Sequence, residues 1–269
     1  MHPFDPPLSV EEIVSCFPDF LNFEKIAVGG QGEVFRASNQ NFGECAIKIY
    51  APHSEFRVQR EVDALETLNH PNIIKLLQHD MIQIRNTQCP YMITPFVDGN
   101  DLKKLMRENY LLNENDACRL LIFMSNALIA LWSERIVHRD IKPANIIKKT
   151  DEGFILIDLG IARHLDRTTY TPWGDWLGTW GYMSQEQALA QRYLTVKSDI
   201  FSLGITCFEV FCRRHPFQCN QRMIMQNILP PRANDLKNCS IRLSDLLAQM
   251  MQPSAVLRPK PSEIIAELN

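Results

Sequence analysis

The sequence predicts an α+β fold with two unequal lobes, because its hydrophobic pattern changes once along the 269 residues. From Phe23 to about Val97 the apolar residues are spaced as in strands, and a single helical stretch interrupts them. After Asp98-Gly99 the spacing becomes helical over 101–108, over 114–134 and from about 197 onward. We therefore expect a small sheet lobe followed by a larger helical lobe. The buried face of the second helix should consist of Leu120, Leu121, Met124, Leu128 and Leu131.

Three further signals set the order of elements in the first lobe. Gly29-Gly30-Gln31-Gly32 separates two strand patterns and is expected to form the turn between them. An apolar stripe predicts the one helix, with Ser54 as its cap and Asn69-His70-Pro71 as its end. A short helical leader, residues 8–17, either packs on this lobe or engages a partner. The stripe consists of Val58, Val62, Leu65 and Leu68.

Composition and charge narrow the classes of partner and compartment. A net charge of −3 gives no reason to expect nucleic acid or an acidic membrane surface as the partner. No apolar run approaches the roughly 18–20 residues that cross a bilayer, and the N-terminus lacks the pattern of a signal peptide. The eight cysteines are scattered without metal-ligand spacing. We therefore expect buried free thiols in a reducing, cytoplasmic environment.

One cluster of polar residues points to phosphoryl transfer. Residues 138–145 read His-Arg-Asp-Ile-Lys-Pro-Ala-Asn, and Asp158-Leu159-Gly160 follows a short strand-like stretch, residues 154–157. An aspartate can accept a proton from a hydroxyl group, a lysine can face a phosphoryl group, and amide and carboxylate oxygens suit a hard cation. The combination resembles the protein kinase family, of the kind shared by eukaryotic and bacterial Ser/Thr kinases.

The resemblance implies a two-lobed protein-kinase-like fold, with a small antiparallel-sheet N-lobe that carries one helix and a larger, mostly helical C-lobe. It divides the chain into a leader, residues 1–22, and a kinase domain, residues 23–269. Within the domain, the N-lobe would span 23–94, the hinge 95–99 and the C-lobe 100–269. The matching motifs occur in the family's order along nearly the whole chain.

The same resemblance implies a role for each residue of the cluster. Asp140 would act as the catalytic base for the attacking hydroxyl, and Lys142 as a point charge against the transferred γ-phosphoryl group of ATP. Asn145 and Asp158 would hold Mg²⁺, with Mn²⁺ as an alternative metal. His138 is expected to pack beneath the metal-binding turn rather than to act as a base.

Lys48, in Ala46-Ile47-Lys48, matches the family's strand lysine, which would hold the α- and β-phosphates. Glu61, on the helix that follows, is the carboxylate that would fix this lysine. Taken alone, a lysine and a glutamate are more often solvated surface charges. The order of strand and helix is the one that the ion pair requires, and it favours the functional interpretation.

The remaining nucleotide contacts are implied by the resemblance. Asp101 would reach the ribose or, equally well, serve as an acid at a helix N-terminus. The glycine-rich loop over the phosphates would be Ala27, Val28, Gly29, Gly30, Gln31 and Gly32, with Ala27 in place of the family's first glycine. The adenine contacts would be Val34 and Ala46 above the ring, Ile147 below it, Thr94 at the back pocket, the carbonyl of Pro95 and the N–H of Val97.

A second segment indicates a polypeptide substrate rather than a small molecule. Residues 178–186 resemble the segment that grips the substrate chain, and Thr179 matches the threonine that contacts the base and its lysine. Glu186 is expected to pair with Arg258, and Asp199 to tether the backbone of the 138–145 loop. The tryptophans of this region either pack the segment or form a recognition surface. They are Trp173, Trp176 and Trp180.

Activity would be regulated on the same segment. We expect autophosphorylation in trans, through transient self-association, with the phosphate ordering the segment by pairing with Arg139. In the rival interpretation, Arg139 pairs with Asp166 or Asp175 and no phosphate is needed. The candidate acceptors are Thr168, Thr169 and Thr171.

The sequence thus predicts an ATP-dependent Ser/Thr protein kinase that transfers the γ-phosphate to protein hydroxyl groups. Two alternatives remain open, a pseudokinase that acts as a scaffold and a small-molecule phosphotransferase. The set Lys48, Glu61, Asp140, Asn145 and Asp158 argues against the first, and Thr179, Glu186 and Asp199 argue against the second. No feature of the sequence identifies the protein substrate.

Overall fold

The computed structural model describes residues 3–151, 153–159, 178–191 and 194–269, together with the backbone of 163–164. These residues form two compact units. The first unit runs up to Asn69 and includes Ile74–Asp98, and the second comprises His70–Ile73 with Gly99–Asn269. The first is built around an antiparallel sheet and the second is mostly helical, which confirms the predicted α+β fold.

The sheet of the first unit has five antiparallel strands in the order β1-β2-β3-β5-β4. Between β3 and β4 the chain forms a helix, α2 (Glu55–Glu66), before it returns to the sheet. The turn predicted at residues 29–32 joins β1 to β2. The strands are β1 (Phe20–Val28), β2 (Gly32–Asn39), β3 (Gly43–Tyr50), β4 (Gln78–Ile84) and β5 (Thr87–Pro95).

The leader forms a short helix, α1 (Val10–Cys16), that belongs to the first unit. A reciprocal capping box starts it: the N–H of Glu12 donates to Ser9 Oγ at 3.2 Å, and the N–H of Ser9 donates to Glu12 Oε2 at 2.8 Å. Arg85, in the turn between β4 and β5, donates from Nε to Glu12 Oε1 at 2.5 Å. Of the two roles left open for the leader, the structure shows packing on its own unit.

The register of the sheet gives it two distinct faces. Residues paired across strands share a face, and successive residues of a strand alternate between faces. We call the apolar face covered by the leader the leader face, and the opposite one the lysine face. The leader face carries Phe35, Ile47, Ile49, Tyr91 and Ile93, which form one core with Phe4, Leu8, Ile13 and Phe17. The lysine face carries Val34, Ala46, Lys48, Met92 and Thr94.

Helix α2 differs from the expectation at both ends. Ser54 occupies the N-cap position, but its side chain makes no capping hydrogen bond, because its ψ of 5° departs from the extended backbone that orients a cap. The carbonyl of Ser54 instead accepts from the N–H of Val58 at 3.0 Å. The helix ends at Glu66, so Leu68 lies beyond it and is nevertheless buried.

The second unit is organised around one buried helix, α6 (Val196–Cys212). Gly204 lies within it, and a Cβ there would approach the Cβ of Met250 to 2.9 Å, so close helix packing requires glycine. The other helices are α3 (Leu102–Arg107), α4 (Glu114–Ser133), α5 (Gln185–Ala188), α7 (Gln221–Met225), α8 (Ile241–Met250) and α9 (Pro261–Leu268). The short strands are β6 (Gly99–Asp101), β7 (Ile136–Val137), β8 (Ile146–Lys149), β9 (Phe154–Leu156) and β10 (Arg163–His164).

Helix α4 meets the length and composition criteria for a membrane span, although Arg119, Ser125 and Asn126 interrupt its apolar residues. It has 20 residues, and an 18-residue window within it has a mean hydropathy of 1.3, enough by length and composition to cross a membrane. Its predicted apolar face is buried, and it packs against α6 and α9. A core helix of a folded unit meets the same criteria, and these contacts favour that interpretation of α4.

Candidate active site

The 138–145 loop joins β7 to β8 in the second unit and is held from the start of α6. Both carboxylate oxygens of Asp199 accept backbone hydrogen bonds, from the N–H of His138 at 2.9 Å and from that of Arg139 at 2.8 Å. Arg139 has a φ of 71°, a strained value for a residue with a side chain. Burial raises the pKa of Asp199 to about 7, although the two N–H groups oppose this by favouring the charged form. Asp199 therefore fixes the first turn of the loop.

His138 is fully buried inside this loop. Its Nδ1 accepts a hydrogen bond from the N–H of Asp140 at 3.2 Å. Burial lowers the pKa of His138 to about 4, and the nearby carboxylates of Asp140 and Asp158 offset only part of that effect. The imidazole is therefore neutral at pH 7 and supports the backbone of the loop.

Asp140, Lys142 and Thr179 form a closed triangle of hydrogen bonds. Lys142 Nζ lies 2.6 Å from Asp140 Oδ2, and Thr179 Oγ1 donates to Asp140 Oδ1 at 2.7 Å. Lys142 Nζ also donates to Thr179 Oγ1 at 2.7 Å. The acid is thereby bonded to a lysine of its own loop and to a hydroxyl 39 residues further along the chain.

Asn145 and Asp158 are suited to hold a hard cation. Asn145 Nδ2 donates to the carbonyl of Asp140 at 2.9 Å, which leaves its side-chain oxygen as the atom for a ligand. The N–H of Ile157 donates to the carbonyl of Asn145 at 3.0 Å, so Asp158 follows directly at this point. Within the described ranges, no three His, Cys, Asp or Glu residues are grouped as metal ligands. That is compatible with Mg²⁺, which commonly takes one or two protein oxygens together with substrate phosphates.

Glu186 and Arg258 form a buried, bidentate ion pair below the 178–186 segment. Arg258 Nη1 lies 2.6 Å from Glu186 Oε1, and Nη2 lies 3.1 Å from Oε2. Ser198 Oγ donates to Glu186 Oε1 at 2.8 Å. Burial raises the pKa of Glu186, but the hydrogen bonds and charge of Arg258, together with the hydrogen bonds from the Glu186 backbone and from Ser198, outweigh it and hold the pKa below its usual value. The pair anchors the end of the segment to the helical core.

Three buried residues that hold the same segment were not found from the sequence. Gln187 Nε2 donates to the carbonyl of Arg139 at 2.6 Å, and Gln221 Oε1 accepts from the N–H of Gly181 at 3.0 Å. The ring of His215 packs edge-to-face on that of Tyr182, with 5.2 Å between the centroids, while its Nδ1 accepts from the N–H of Cys219 at 2.9 Å. The sequence carries no signal for these contacts, because they depend on how distant segments meet.

The first unit contains the predicted lysine–carboxylate pair. Lys48 Nζ, on β3, lies 3.7 Å from Glu61 Oε2, on α2. The side chain of Glu61 is 2% exposed and that of Lys48 is 23% exposed. The lysine thus reaches solvent while its partner is buried. The sequence missed a third member, Tyr50, whose hydroxyl donates to Glu61 Oε2 at 2.6 Å.

The glycine-rich turn of the first unit is closed by backbone hydrogen bonds. The N–H of Gly29 donates to the carbonyl of Gly32 at 2.9 Å, and the N–H of Ala51 donates to that of Gln31 at 3.0 Å. A Cβ at Gly32 would lie 2.2 Å from the carbonyl oxygen of Ile49, so this position requires glycine. Exposed residues, from Ala27 to Gly30, lead into and form this turn.

The residues expected to contact adenine are distributed over both units. In the first, Ala46 pairs with Thr94 on the lysine face, which also carries Val34. Pro95 ends β5, and Val97 follows it half-buried. In the second, Ile147 is half-buried on β8 and pairs with Asp101.

Asp101 caps α3 by accepting from the N–H of Lys104 at 2.8 Å. This is the helix-terminal role that the sequence left open beside ribose binding. The phosphorylation candidates Thr168, Thr169 and Thr171 lie outside the described residues, as do Trp173, Trp176, Asp166 and Asp175.

The sequence of this chain is similar to those of known protein kinases. A model of the protein kinase domain family matches residues 20–268. A probable serine/threonine-protein kinase PknB of Lactococcus lactis is 31% identical over 215 residues, which are 77% of this chain and 34% of that protein. Serine/threonine-protein kinase PrkC of Bacillus subtilis is 35% identical over 199 residues, 71% of this chain and 30% of that protein.

A probable serine/threonine-protein kinase PkwA of Thermomonospora curvata is 30% identical over 253 residues, 91% of this chain and 33% of that protein. The chain thus spans about a third of the length of these curated relatives.

Proposed function

This chain belongs to the protein kinase domain family, and on that premise we propose that it transfers the γ-phosphate of ATP to serine or threonine hydroxyl groups of proteins. The observation that carries the proposal is the triangle of Asp140, Lys142 and Thr179. The triangle joins Asp140, the candidate base, to the 178–186 segment. The Glu186–Arg258 pair anchors the end of that segment separately. A rigid segment bonded to the base is what a polypeptide substrate requires for alignment.

In this mechanism Asp140 orients the attacking hydroxyl and accepts its proton. Asp140 Oδ2 accepts hydrogen bonds from Lys142 and Asn145, whereas Oδ1 accepts one, from Thr179, and keeps a second lone pair for that proton. Lys142 faces the transferred phosphoryl group with its positive charge. Thr179 fixes both side chains in one orientation, and Asp199 holds the loop that carries them.

Family members use ATP with a divalent metal, and for this chain we propose Mg²⁺, with Mn²⁺ as an alternative. When bound, the metal neutralises charge on the phosphate oxygens. Asn145 and Asp158 would hold it through oxygen atoms. Lys48, fixed by Glu61, would bind the α- and β-phosphates, and the glycine-rich turn would cover them. The adenine contacts are proposed for Val34, Ala46, Thr94, Pro95, Val97 and Ile147, with Asp101 toward the ribose.

Regulation by phosphate on the segment after Asp158 remains part of the proposal. One of the three candidate threonines, Thr168, Thr169 and Thr171, would be phosphorylated in trans and would pair with Arg139. Intact mass and peptide mapping after incubation with MgATP detect the modification. Full activity of a variant with all three threonines changed to alanine would refute this regulation.

The compartment is proposed from the cysteines. All eight are free thiols, which supports a reducing compartment such as the cytoplasm. The expectation that they are buried is correct only for Cys45, Cys89 and Cys207.

A phosphate-transfer assay with labelled ATP and a generic protein substrate tests the function. We expect transfer by the wild-type protein and none by Asp140→Asn, which removes the charge of the base but little volume. Asp245→Asn, at an exposed residue paired with Arg232, is the matched control and should retain full activity. Equal absence of turnover in the wild type and Asp140→Asn would favour a scaffold. Transfer to a metabolite but not to polypeptide would favour a small-molecule phosphotransferase.

A further inference from the structure

We propose that Tyr50 is a positioning residue for the Lys48–Glu61 pair, an inference that rests on the proposed kinase function. The tyrosine hydroxyl donates to Glu61 Oε2 at 2.6 Å, whereas Lys48 Nζ lies 3.7 Å from the same oxygen. Only the tyrosine contact is within hydrogen-bond distance, and the lysine contact is a longer ion pair. The orientation of the Glu61 carboxylate is therefore set by Tyr50 more closely than by the lysine.

The geometry of β3 explains why one residue can serve both partners. Lys48 and Tyr50 are two positions apart on the strand, so their side chains point to the same face of the sheet. Lys48 Nζ lies 4.5 Å from the centroid of the Tyr50 ring, within the range of a cation–π interaction. The ring thus contacts the lysine while the hydroxyl, at its far end, contacts the glutamate on α2.

Burial makes the tyrosine hydroxyl important for Glu61. Tyr50 is 0% exposed and Glu61 is 2% exposed, and a buried carboxylate is costly unless donors satisfy it. A neutral hydroxyl satisfies part of this demand without adding positive charge. Lys48 Nζ then lies 3.7 Å from Glu61 Oε2, and the lysine side chain stays partly exposed.

Tyr50 also lies beside the glycine-rich turn. It pairs with Gly32 across β2 and β3, and the next residue, Ala51, donates its N–H to the carbonyl of Gln31 at 3.0 Å. A displacement of Tyr50 would therefore disturb the lysine, the glutamate and the turn together. All three belong to the first unit: the lysine and the turn are the proposed phosphate contacts, and the glutamate fixes the lysine.

A purely structural role for Tyr50 makes a different prediction. The hydroxyl also lies 3.2 Å from Met92 Sδ, as a tyrosine that only fills the core would. In that case Tyr50→Phe, which keeps the ring, would behave like any other loss of a buried hydroxyl. Tyr91 supplies the comparison, because it is also a buried tyrosine with a hydrogen-bonded hydroxyl. That hydroxyl accepts from Gln78 Nε2 at 2.9 Å. Tyr91 lies on the leader face and has no proposed role in nucleotide binding.

The test is a double-mutant cycle of Tyr50→Phe and Glu61→Ala, with Tyr91→Phe as the control. We expect Tyr50→Phe to lower kcat/KM for ATP roughly ten-fold, the loss of one hydrogen bond to a charged group. Tyr91→Phe should keep the wild-type value, and thermal unfolding of both single variants measures any loss of stability separately from the kinetics. In the Glu61→Ala background, Tyr50→Phe should change kcat/KM less than about two-fold, because its effect passes through Glu61. Wild-type kinetics in Tyr50→Phe, or equal effects in both backgrounds, would overturn the proposal.

The same cycle measured as affinity for a non-hydrolysable ATP analogue separates this inference from the proposed function. Calorimetric titration needs no phosphate transfer. If the wild type binds the analogue but transfers no phosphate, the proposed function fails, and Tyr50 is judged by the affinities. The role of Tyr50 is supported if Tyr50→Phe binds the analogue more weakly than Tyr91→Phe does. That difference should disappear when Glu61 is replaced. Unchanged affinity in Tyr50→Phe, or no binding by any of the proteins, overturns it.

Discussion

Glu33 on β2 accepts a hydrogen bond from the backbone N–H of Leu8 in the leader, with 3.1 Å between the nitrogen and Oε1. The glutamate is 0% exposed, and its Oε2 lies 2.7 Å from Lys25 Nζ. Lys25 in turn donates to the carbonyl of Leu8. One buried carboxylate therefore connects the leader to the two strands that carry the glycine-rich turn.

Replacing Glu33 with alanine should destabilise the first unit. The change removes a hydrogen bond to a buried charge, and we expect the free energy of unfolding to fall by about 2–3 kcal/mol. Glu44→Ala is the matched control, because Glu44 is exposed and its pair with Arg36 lies on the surface. That variant should lose less than about 1 kcal/mol. Urea denaturation measures both, and equal losses would contradict the connection through Glu33.

Breaking the buried pair of Glu186 and Arg258 should be far more costly than breaking a surface pair. Arg258→Met leaves the Glu186 carboxylate buried without its cation, and we expect a loss of about 3–5 kcal/mol in unfolding free energy. Arg242→Met interrupts an exposed pair with Glu267, at 3.2 Å, and should cost under about 1 kcal/mol. Calorimetric unfolding compares the two. A small loss in Arg258→Met would show that the core adapts to the unpaired acid.

Asp199→Asn should impair turnover more than nucleotide binding. The asparagine oxygen can accept one of the two N–H bonds from the 138–145 loop, but its NH₂ group faces the other donor. We expect kcat to fall by roughly 10–100-fold, because the base loses its fixed position. KM for ATP should change little, since the proposed phosphate contacts of the first unit are untouched. Steady-state kinetics with varied ATP would reveal the opposite pattern, a raised KM with normal kcat, if this view were wrong.

Buried imidazoles should make stability fall on the acid side of neutrality. Burial lowers the pKa of His215 to about 4 from a usual value of 6.5. Between these values the unfolded chain binds the extra proton, so its contribution to stability is present above about pH 6.5 and is lost as pH falls toward 4. His215→Asn, whose Oδ1 can accept the same backbone N–H bonds, should reduce this slope by up to about 1.4 kcal/mol per pH unit.

Denaturation of both proteins across this pH range checks the histidine prediction. His138 has the same lowered pKa and remains in both proteins, so the difference between their slopes reports His215 alone. Parallel curves would contradict it.

Local patterns in the sequence predicted much of the fold. Helical spacing identified the buried face of α4, and the change from strand to helical spacing identified the two architectures. Ser54 shows the limit of such patterns, because a cap depends on backbone angles that a residue type does not set.

The site residues that the sequence missed bind partners that local patterns do not reveal. These partners are distant in sequence or meet the residue only when a helix packs on the sheet. Gln187 and Gln221 hold segments 48 and 40 residues away. Tyr50 is close in sequence to Lys48, but its bond to Glu61 requires the packing of α2 against the sheet. Family resemblance supplied the residues that lie in its motifs, and it could not supply supporting residues outside them.

The leader has a practical consequence for anyone who prepares a minimal fragment. The family match begins at residue 20, yet Phe4, Leu8, Ile13 and Phe17 fill the core behind the sheet. A protein that begins at residue 20 would expose an apolar surface on its first unit, and such a surface promotes aggregation. Truncation at the family boundary would thus remove part of the hydrophobic core of the first unit.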